Sequence, residues 1–143
     1  MVLLVGAITT GCGGNVPLQG KVTFKEDGSP LALGIVYFDS GITTARGTIN
    51  SDGSYKVGTL RQNDGLPRGE YKVYIGGSME IIQNTEQKIG VDSMGNPMMS
   101  APIFRQLVDK KYMSTDQTPL VCKVPAEKNR FDIVVEKPKD STK

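Results

Sequence analysis

The chain has few side chains that could do catalytic chemistry, and their types do not form a catalytic set. It has 143 residues, two cysteines, Cys12 and Cys122, and no histidine. Without imidazole, Ser-His and Cys-His nucleophilic catalysis and histidine-dependent zinc sites are excluded. Cys122 lies in an alternating apolar run over residues 120–124. We interpret it as a small buried apolar residue, with a disulfide to Cys12 as the alternative.

Three methionines close together form a second group that could do chemistry. They are Met94, Met98 and Met99. Thioether sulfur suits copper(I), but methionine also fills irregular gaps and covers adaptable binding surfaces. We expect these residues to pack within a loop, with contact to a partner as the second interpretation and a copper site as the last. No metal ion and no cofactor is predicted.

The acidic residues are interpreted as structural. A calcium loop needs several oxygens at alternate positions, whereas Asp27 and Asp52 are single carboxylates, each followed by glycine in a predicted turn. A glycoside hydrolase needs two carboxylates that flank its substrate, and nothing in the sequence brings Asp39, Asp64 and Glu70 together. The sequence therefore predicts no catalytic residue, and the chain is not expected to be an enzyme.

Composition indicates one globular domain. Hydrophobic residues make up 38% of the chain and charged residues 22%, which is enough for one modest core and unlike a disordered protein. The net charge of +2 is small, and the lysines do not cluster in a stripe. Nucleic acid is therefore not an expected partner.

The elements that must position these residues are short strands separated by turns. Apolar residues alternate with polar ones between Gly, Asp and Pro turn signals, a pattern that predicts strands. Seven such runs occur, at residues 19–25, 34–39, 43–50, 54–59, 69–76, 120–124 and 131–136. Seven short strands in one small domain predict an all-β fold, a seven-stranded antiparallel sandwich.

Residues 77–118 interrupt the alternation, and we expect a long irregular excursion there. Stretches of this kind tend to be functional or mobile. Apolar residues at three- and four-residue spacing between Ile103 and Met113 predict one or two helical turns. These turns would form a lid over the sandwich or, alternatively, an exposed docking helix. Phe104 and Tyr112, together with the three methionines, are the predicted partner-binding residues.

The amino terminus has an apolar run of small residues over 1–8, followed by Gly11 and Cys12. This arrangement resembles a bacterial lipoprotein signal, in which the Gly–Cys bond is cut and the cysteine is lipidated. The resemblance implies a signal segment at 1–11, lipidation of Cys12 and a flexible tether at 12–18. The alternative is an apolar first strand or a tail. The run is too short to span a bilayer as a helix.

The predicted strands also resemble those of carboxypeptidase regulatory-like domains. The similar segments are residues 20–24 with the turn at 27–31, the hairpin at 47–55, and the strand at 65–73. Residues 129–132 and the Gly-Cys-Gly-Gly start resemble small lipoproteins of planctomycete-type bacteria. The resemblance implies a transthyretin-like (prealbumin-like) sandwich over 19–136, with a polar tail at 137–143. It implies no peptidase activity, because the catalytic zinc of the enzymes in question lies in a separate domain.

These patterns together predict a non-enzymatic lipoprotein that is anchored to a membrane through Cys12. The domain would face the periplasm or the cell surface and act as a binding or scaffold module for protein or glycan. One alternative is a structural module of a surface layer that assembles through exposed strand edges. Another is a hydrolase with an unrecognised carboxylate site.

Overall fold

A computed structural model describes residues 14–83 and 88–139, and the side chain of Gln83 is outside that description. The predicted lipidation site Cys12 and the predicted signal segment at 1–11 lie outside the described residues. Within them the chain is mostly β, with several antiparallel sheets. The longest helical element in this part has four residues. The all-β class expected from the alternation is confirmed.

The described part contains eleven strands and two short 3-10 turns. In chain order the strands are β1 Gln19–Phe24, β2 Ile35–Asp39, β3 Thr44–Thr48, β4 Ser54–Lys56, β5 Gly69–Gly76, β6 Met79–Gln83, β7 Lys88–Val91, β8 Pro97–Met99, β9 Ile103–Gln106, β10 Val121–Val124 and β11 Ile133–Val135. The 3-10 turns are Lys110–Met113 and Glu127–Asn129. The seven runs expected from the sequence correspond to β1 to β5, β10 and β11.

Those seven strands form two sheets that share one core. The strand order is β11-β1-β4 in the three-stranded sheet and β10-β5-β2-β3 in the four-stranded sheet. Val36, Phe38 and Val73 are buried on the inner face of the larger sheet, and Val22 and Ile133 are buried on the smaller one. All five belong to a single apolar cluster. We call these two sheets and their connecting loops the body.

One strand pair departs from the antiparallel prediction. β1 and β11 run parallel, with Val22 opposite Ile133 and Phe24 opposite Val135. A parallel pair cannot be joined by a tight hairpin and needs a long connection. That requirement is met, because nearly the whole body lies between these two strands in the sequence. The prediction of a fully antiparallel arrangement is therefore wrong at this edge.

The region predicted to be irregular contains four strands. β6 pairs with β9, and β7 pairs with β8, in nested antiparallel order. We call residues 79–83 and 88–106 the ribbon. Of the one or two helical turns predicted between Ile103 and Met113, one is present, since Lys110–Met113 forms a 3-10 turn, whereas Ile103–Gln106 is β9. The three- and four-residue spacing looked helical because it combined apolar residues of an exposed strand with those of a turn that faces the core.

Candidate functional site

The ribbon carries most of the exposed large apolar side chains in the described part of the chain. Fifteen such side chains are exposed, and ten of them belong to the ribbon. They are Met79, Ile81, Ile82, Ile89, Val91, Met94, Met98, Met99, Ile103 and Phe104. Soluble monomers expose single apolar residues widely, but a concentration of them marks an interaction surface. The ribbon is therefore the candidate site.

The pairing of β6 with β9 separates an apolar face from a charged face. Ile81 lies opposite Phe104, and Met79 lies on the same face two residues earlier. Glu80 lies opposite Arg105 on the other face, and the two form an ion pair. Directly opposed side chains on a sheet face interact. Met79, Ile81 and Phe104 therefore adjoin on one face near the base of the ribbon, beside Gln106, which lies opposite Met79.

The tip of the ribbon is an ordered turn that displays a methionine. The Asp92 carboxylate accepts hydrogen bonds from the amides of Met94 and Asn96, each at 2.9 Å, and from the Asn96 side chain at 3.1 Å. These bonds, the Asn96 amide first, lower the pKa of Asp92 from 3.8. The turn leaves Met94 85% exposed. Its shape is fixed by polar bonds within the turn.

The base of the ribbon is attached to the body. The buried Ser78 hydroxyl donates a 2.8 Å hydrogen bond to the Leu33 carbonyl, and the Leu107 amide donates a 2.9 Å bond to the Ser78 carbonyl. Gly34 makes room for this contact, since a Cβ there would lie 2.3 Å from the Ser78 hydroxyl and its φ is +138°. Val108, two residues beyond β9, is fully buried. Both ends of the ribbon are thus fixed at the body.

The ribbon and the amino-terminal entry lie at opposite ends of the body. Leu66, just before β5, pairs with Val16, whereas Gly76 at the end of β5 pairs with Ile35 and leads into the ribbon. The eight residues of β5 span about 25 Å. Val16 and the buried Leu18 belong to the body, so the described part of the predicted tether at 12–18 is partly ordered.

The predicted partner-binding residues divide into two groups. Met94, Met98, Met99 and Phe104 are exposed on the ribbon, so the expectation that the methionines pack within a loop is wrong. Tyr112 is 5% exposed and belongs to the core cluster. Its inclusion in an accessible surface is therefore wrong, because the 3-10 turn directs this ring towards the body.

Sequence reasoning missed the aliphatic residues of the ribbon. Ile81, Ile82 and Ile89 are all more than half exposed. A usable signal was the alternation of Met79, Glu80 and Ile81, which extends the strand pattern beyond Gly77.

The thiol of Cys122 and the carboxylate of Asp64 contribute to the structure of the body and do not form a catalytic set. Cys122 is buried as predicted, and burial raises its pKa to about 11. Asp64 accepts hydrogen bonds from the amides of Thr59, Leu60 and Arg61, of which the Thr59 bond contributes most to lowering the pKa of Asp64 from 3.8. Among residues 14–83 and 88–139, no three carboxylates or thiols gather as a metal site would require.

Comparisons of the chain with protein-family models, curated proteins and solved structures gave no match. In the part of the chain that the structure describes, the helical turns are too short to cross a membrane.

Proposed function

We propose that the chain is a non-enzymatic lipoprotein of the cell envelope whose body presents the ribbon to a protein partner. The observation that carries this proposal is the concentration of ten exposed large apolar side chains on the ribbon. A two-stranded ribbon without a second layer is only marginally stable in water. A partner that covers its apolar face would remove this surface from water and stabilise it.

The body is proposed to be a transthyretin-like sandwich of the carboxypeptidase regulatory-like type. Two observations support this assignment. The sheets have three and four strands, which together give the seven expected from the sequence. Their inward residues belong to one cluster that draws on both sheets. In this proposal the sandwich is a rigid support, and recognition belongs to the ribbon that leaves one end of it.

A protein partner fits the ribbon better than a glycan. Its exposed large apolar side chains are aliphatic and thioether groups with one aromatic ring, that of Phe104. Glycan sites rely on polar groups and aromatic stacking, whereas flexible thioethers suit adaptable protein contacts. The outer edges of the strands β6 and β9 pair with no further strand among the described residues. An extended segment of a partner could add to such an edge through its backbone.

Lipidation at Cys12 would fix the orientation of the ribbon relative to the membrane. Only three residues separate Cys12 from Val16, which is already fixed to the body by hydrogen bonds with Leu66. The entry end of the body would then lie near the membrane, and the ribbon would point away from it. Intact-mass analysis of protein recovered from membranes tests the anchor. A mass beginning at Cys12 plus diacylglyceryl is expected, and a chain that retains Met1 with an unmodified thiol would contradict it.

Paired substitutions test the ribbon as the binding surface. Ile81→Ser with Phe104→Ser replaces two ribbon side chains, and Val121→Ser with Val134→Ser replaces two comparably exposed body side chains as the matched control. Membranes that contain each variant are treated with a chemical cross-linker. We expect one discrete heterologous adduct in the parent and in the control, and its loss in the ribbon variant. Equal adduct yields from both variants would overturn the proposal.

The free strand edges favour a second candidate, a structural module that assembles from copies of this chain. Both β6 and β9 have one edge without a partner strand in the described residues, and such edges readily pair with each other. Light scattering of the purified protein over a range of concentrations separates the two functions. Growth of particle mass with concentration, abolished in the ribbon variant, would favour assembly over capture of a different protein.

A further inference from the structure

A groove at the edge of the body lies apart from the ribbon. It follows the corner where β3 and β4 approach each other, beside the loop after β4, and has a volume of about 760 Å³. A second hollow of about 370 Å³ shares Lys56 and Asn63 with it and extends to Lys128. We call the two together the edge groove. Each hollow has a volume within the range of ligand sites.

The edge groove is lined by unpaired cations. Arg46, Lys56 and Arg61 line the larger hollow, and Lys56 and Lys128 line the smaller. Among the described residues that line either hollow, none is Asp or Glu. None of these four cations takes part in the ion pairs of the described chain. Some cations elsewhere in the body do pair with carboxylates, as Lys111 does with Glu136 at 2.7 Å.

Backbone packing gives the edge groove a fixed shape. A Cβ on Gly47 would lie 2.6 Å from the Lys56 carbonyl oxygen, so glycine allows the two strands to approach closely. A Cβ on Gly58 would lie 2.3 Å from the Arg61 carbonyl oxygen, so the loop folds back over this glycine. The Asp64 carboxylate fixes the same loop by accepting the Arg61 amide at 3.0 Å. Arg61 thus projects from an ordered backbone.

We propose that the edge groove binds an elongated ligand that carries several oxyanion groups. Guanidinium groups recognise phosphate and carboxylate by paired hydrogen bonds, and lysine adds point charge. Four cations in two adjoining hollows suit successive anionic groups along one ligand better than a single ion. Phosphate and carboxylate share this chemistry, so both are tested. The proposal does not depend on the ribbon, because no described residue of the ribbon lines either hollow.

Calorimetric titration of the purified protein provides the test. Tripolyphosphate represents a phosphate ligand and citrate a carboxylate ligand, each at low and at physiological salt. We expect saturable binding of at least one of them, weakened by salt because counterions screen exposed charges. Amide signals of residues 58–63 should shift in NMR spectra during the same titration. Absence of saturable binding for both anions would overturn the proposal.

Charge-matched variants locate the site. Arg46→Gln with Arg61→Gln removes two cations from the groove, and Arg68→Gln with Lys72→Gln removes two exposed cations elsewhere. Loss of a charged hydrogen bond weakens binding by about tenfold for each arginine. The control variant should bind like the parent, and equal weakening in both variants would overturn the site. If the groove variant does not fold, Lys56→Gln with Lys128→Gln serves in its place under the same criteria.

Discussion

The body and the ribbon are built from the same short alternating strands, yet they treat apolar side chains in opposite ways. Phe38 on β2 is fully buried, whereas Phe104 on β9 is 53% exposed. Both rings project from a strand that is paired on at least one side. The difference is the presence of a second sheet, since Phe38 faces the three-stranded sheet through Tyr55, with ring centroids 6.1 Å apart.

This contrast shows that alternation defines a strand face but not what covers it. In the body each sheet supplies the other with an apolar layer, and the two bury one core. The ribbon has an apolar face of similar chemistry and no second layer among the described residues. A face that folding leaves uncovered is available for association. Stability should therefore depend on the body, and partner binding on the ribbon.

The largest expected effect comes from the same substitution made in each region. Phe38→Ala removes a buried ring and should lower the free energy of unfolding by about 3–5 kcal/mol. Phe104→Ala should change it by no more than about 0.5 kcal/mol, because the lost ring was largely in water. Urea unfolding of both variants measures the difference. A comparable loss in the two would break the contrast between body and ribbon.

Removal of the buried Tyr55 hydroxyl should give the next largest loss of stability. Tyr55 is 1% exposed and donates a hydrogen bond to the Phe131 carbonyl, which ties β4 to the segment before β11. Tyr55→Phe should lower the free energy of unfolding by about 1–3 kcal/mol, since the Phe131 carbonyl loses this donor. Tyr37→Phe is the control, because its ring stacks on Tyr74 at 4.9 Å without need of the hydroxyl. A loss of similar size in the control would contradict the assigned bond.

Acid should affect the two regions through matching aspartates. The pKa values of Asp64 in the body and Asp92 in the ribbon are both lowered from 3.8 by backbone amides. Each contribution is therefore fully present above pH 3.8 and is lost as the pH falls through the lowered pKa. Asp64→Asn should lower the melting temperature at neutral pH and reduce its further fall in acid. Asp92→Asn should alter only the amide signals of the turn at 92–96, and a matching loss of melting temperature would contradict this.

The smallest effects are chemical rather than energetic. Burial, which raises the pKa of Cys122 to about 11, should keep its thiol unlabelled by maleimide at neutral pH until urea unfolds the body. Met94, Met98 and Met99 should be oxidised by peroxide in the folded protein, because all three are exposed. Peptide mass spectrometry measures both reactions. Rapid native labelling of Cys122, or protection of all three methionines, would remove the distinction between the regions.

The sequence predicted the strands of the body because their information is local. In β5, Tyr71, Val73 and Ile75 alternate with polar residues and are all buried. The parallel pairing of β1 with β11 could not be predicted in this way, because it joins segments far apart in the chain. The same applies to the edge groove, whose Arg46 and Lys128 belong to distant elements.

The candidate site was predicted only in part, since exposure depends on packing rather than on pattern. The three methionines and Phe104 were predicted to be accessible, and they are exposed. Tyr112 belongs to the same apolar spacing pattern as Phe104, yet it is buried. The spacing pattern gave no information on whether a second layer covers the segment. That layer exists for the turn at Lys110–Met113, which packs on the core, and not for the described strands of the ribbon.

Site-specific photo-cross-linking in membranes tests the central claim most directly. A photoreactive amino acid at position 104 samples the ribbon, and one at position 134 samples the body at nearly equal exposure, since Phe104 is 53% and Val134 51% exposed. We expect a discrete adduct with another protein from position 104 and none from position 134. Equal adducts at both positions, or an adduct from position 134 alone, would contradict the assignment of the ribbon as the binding surface.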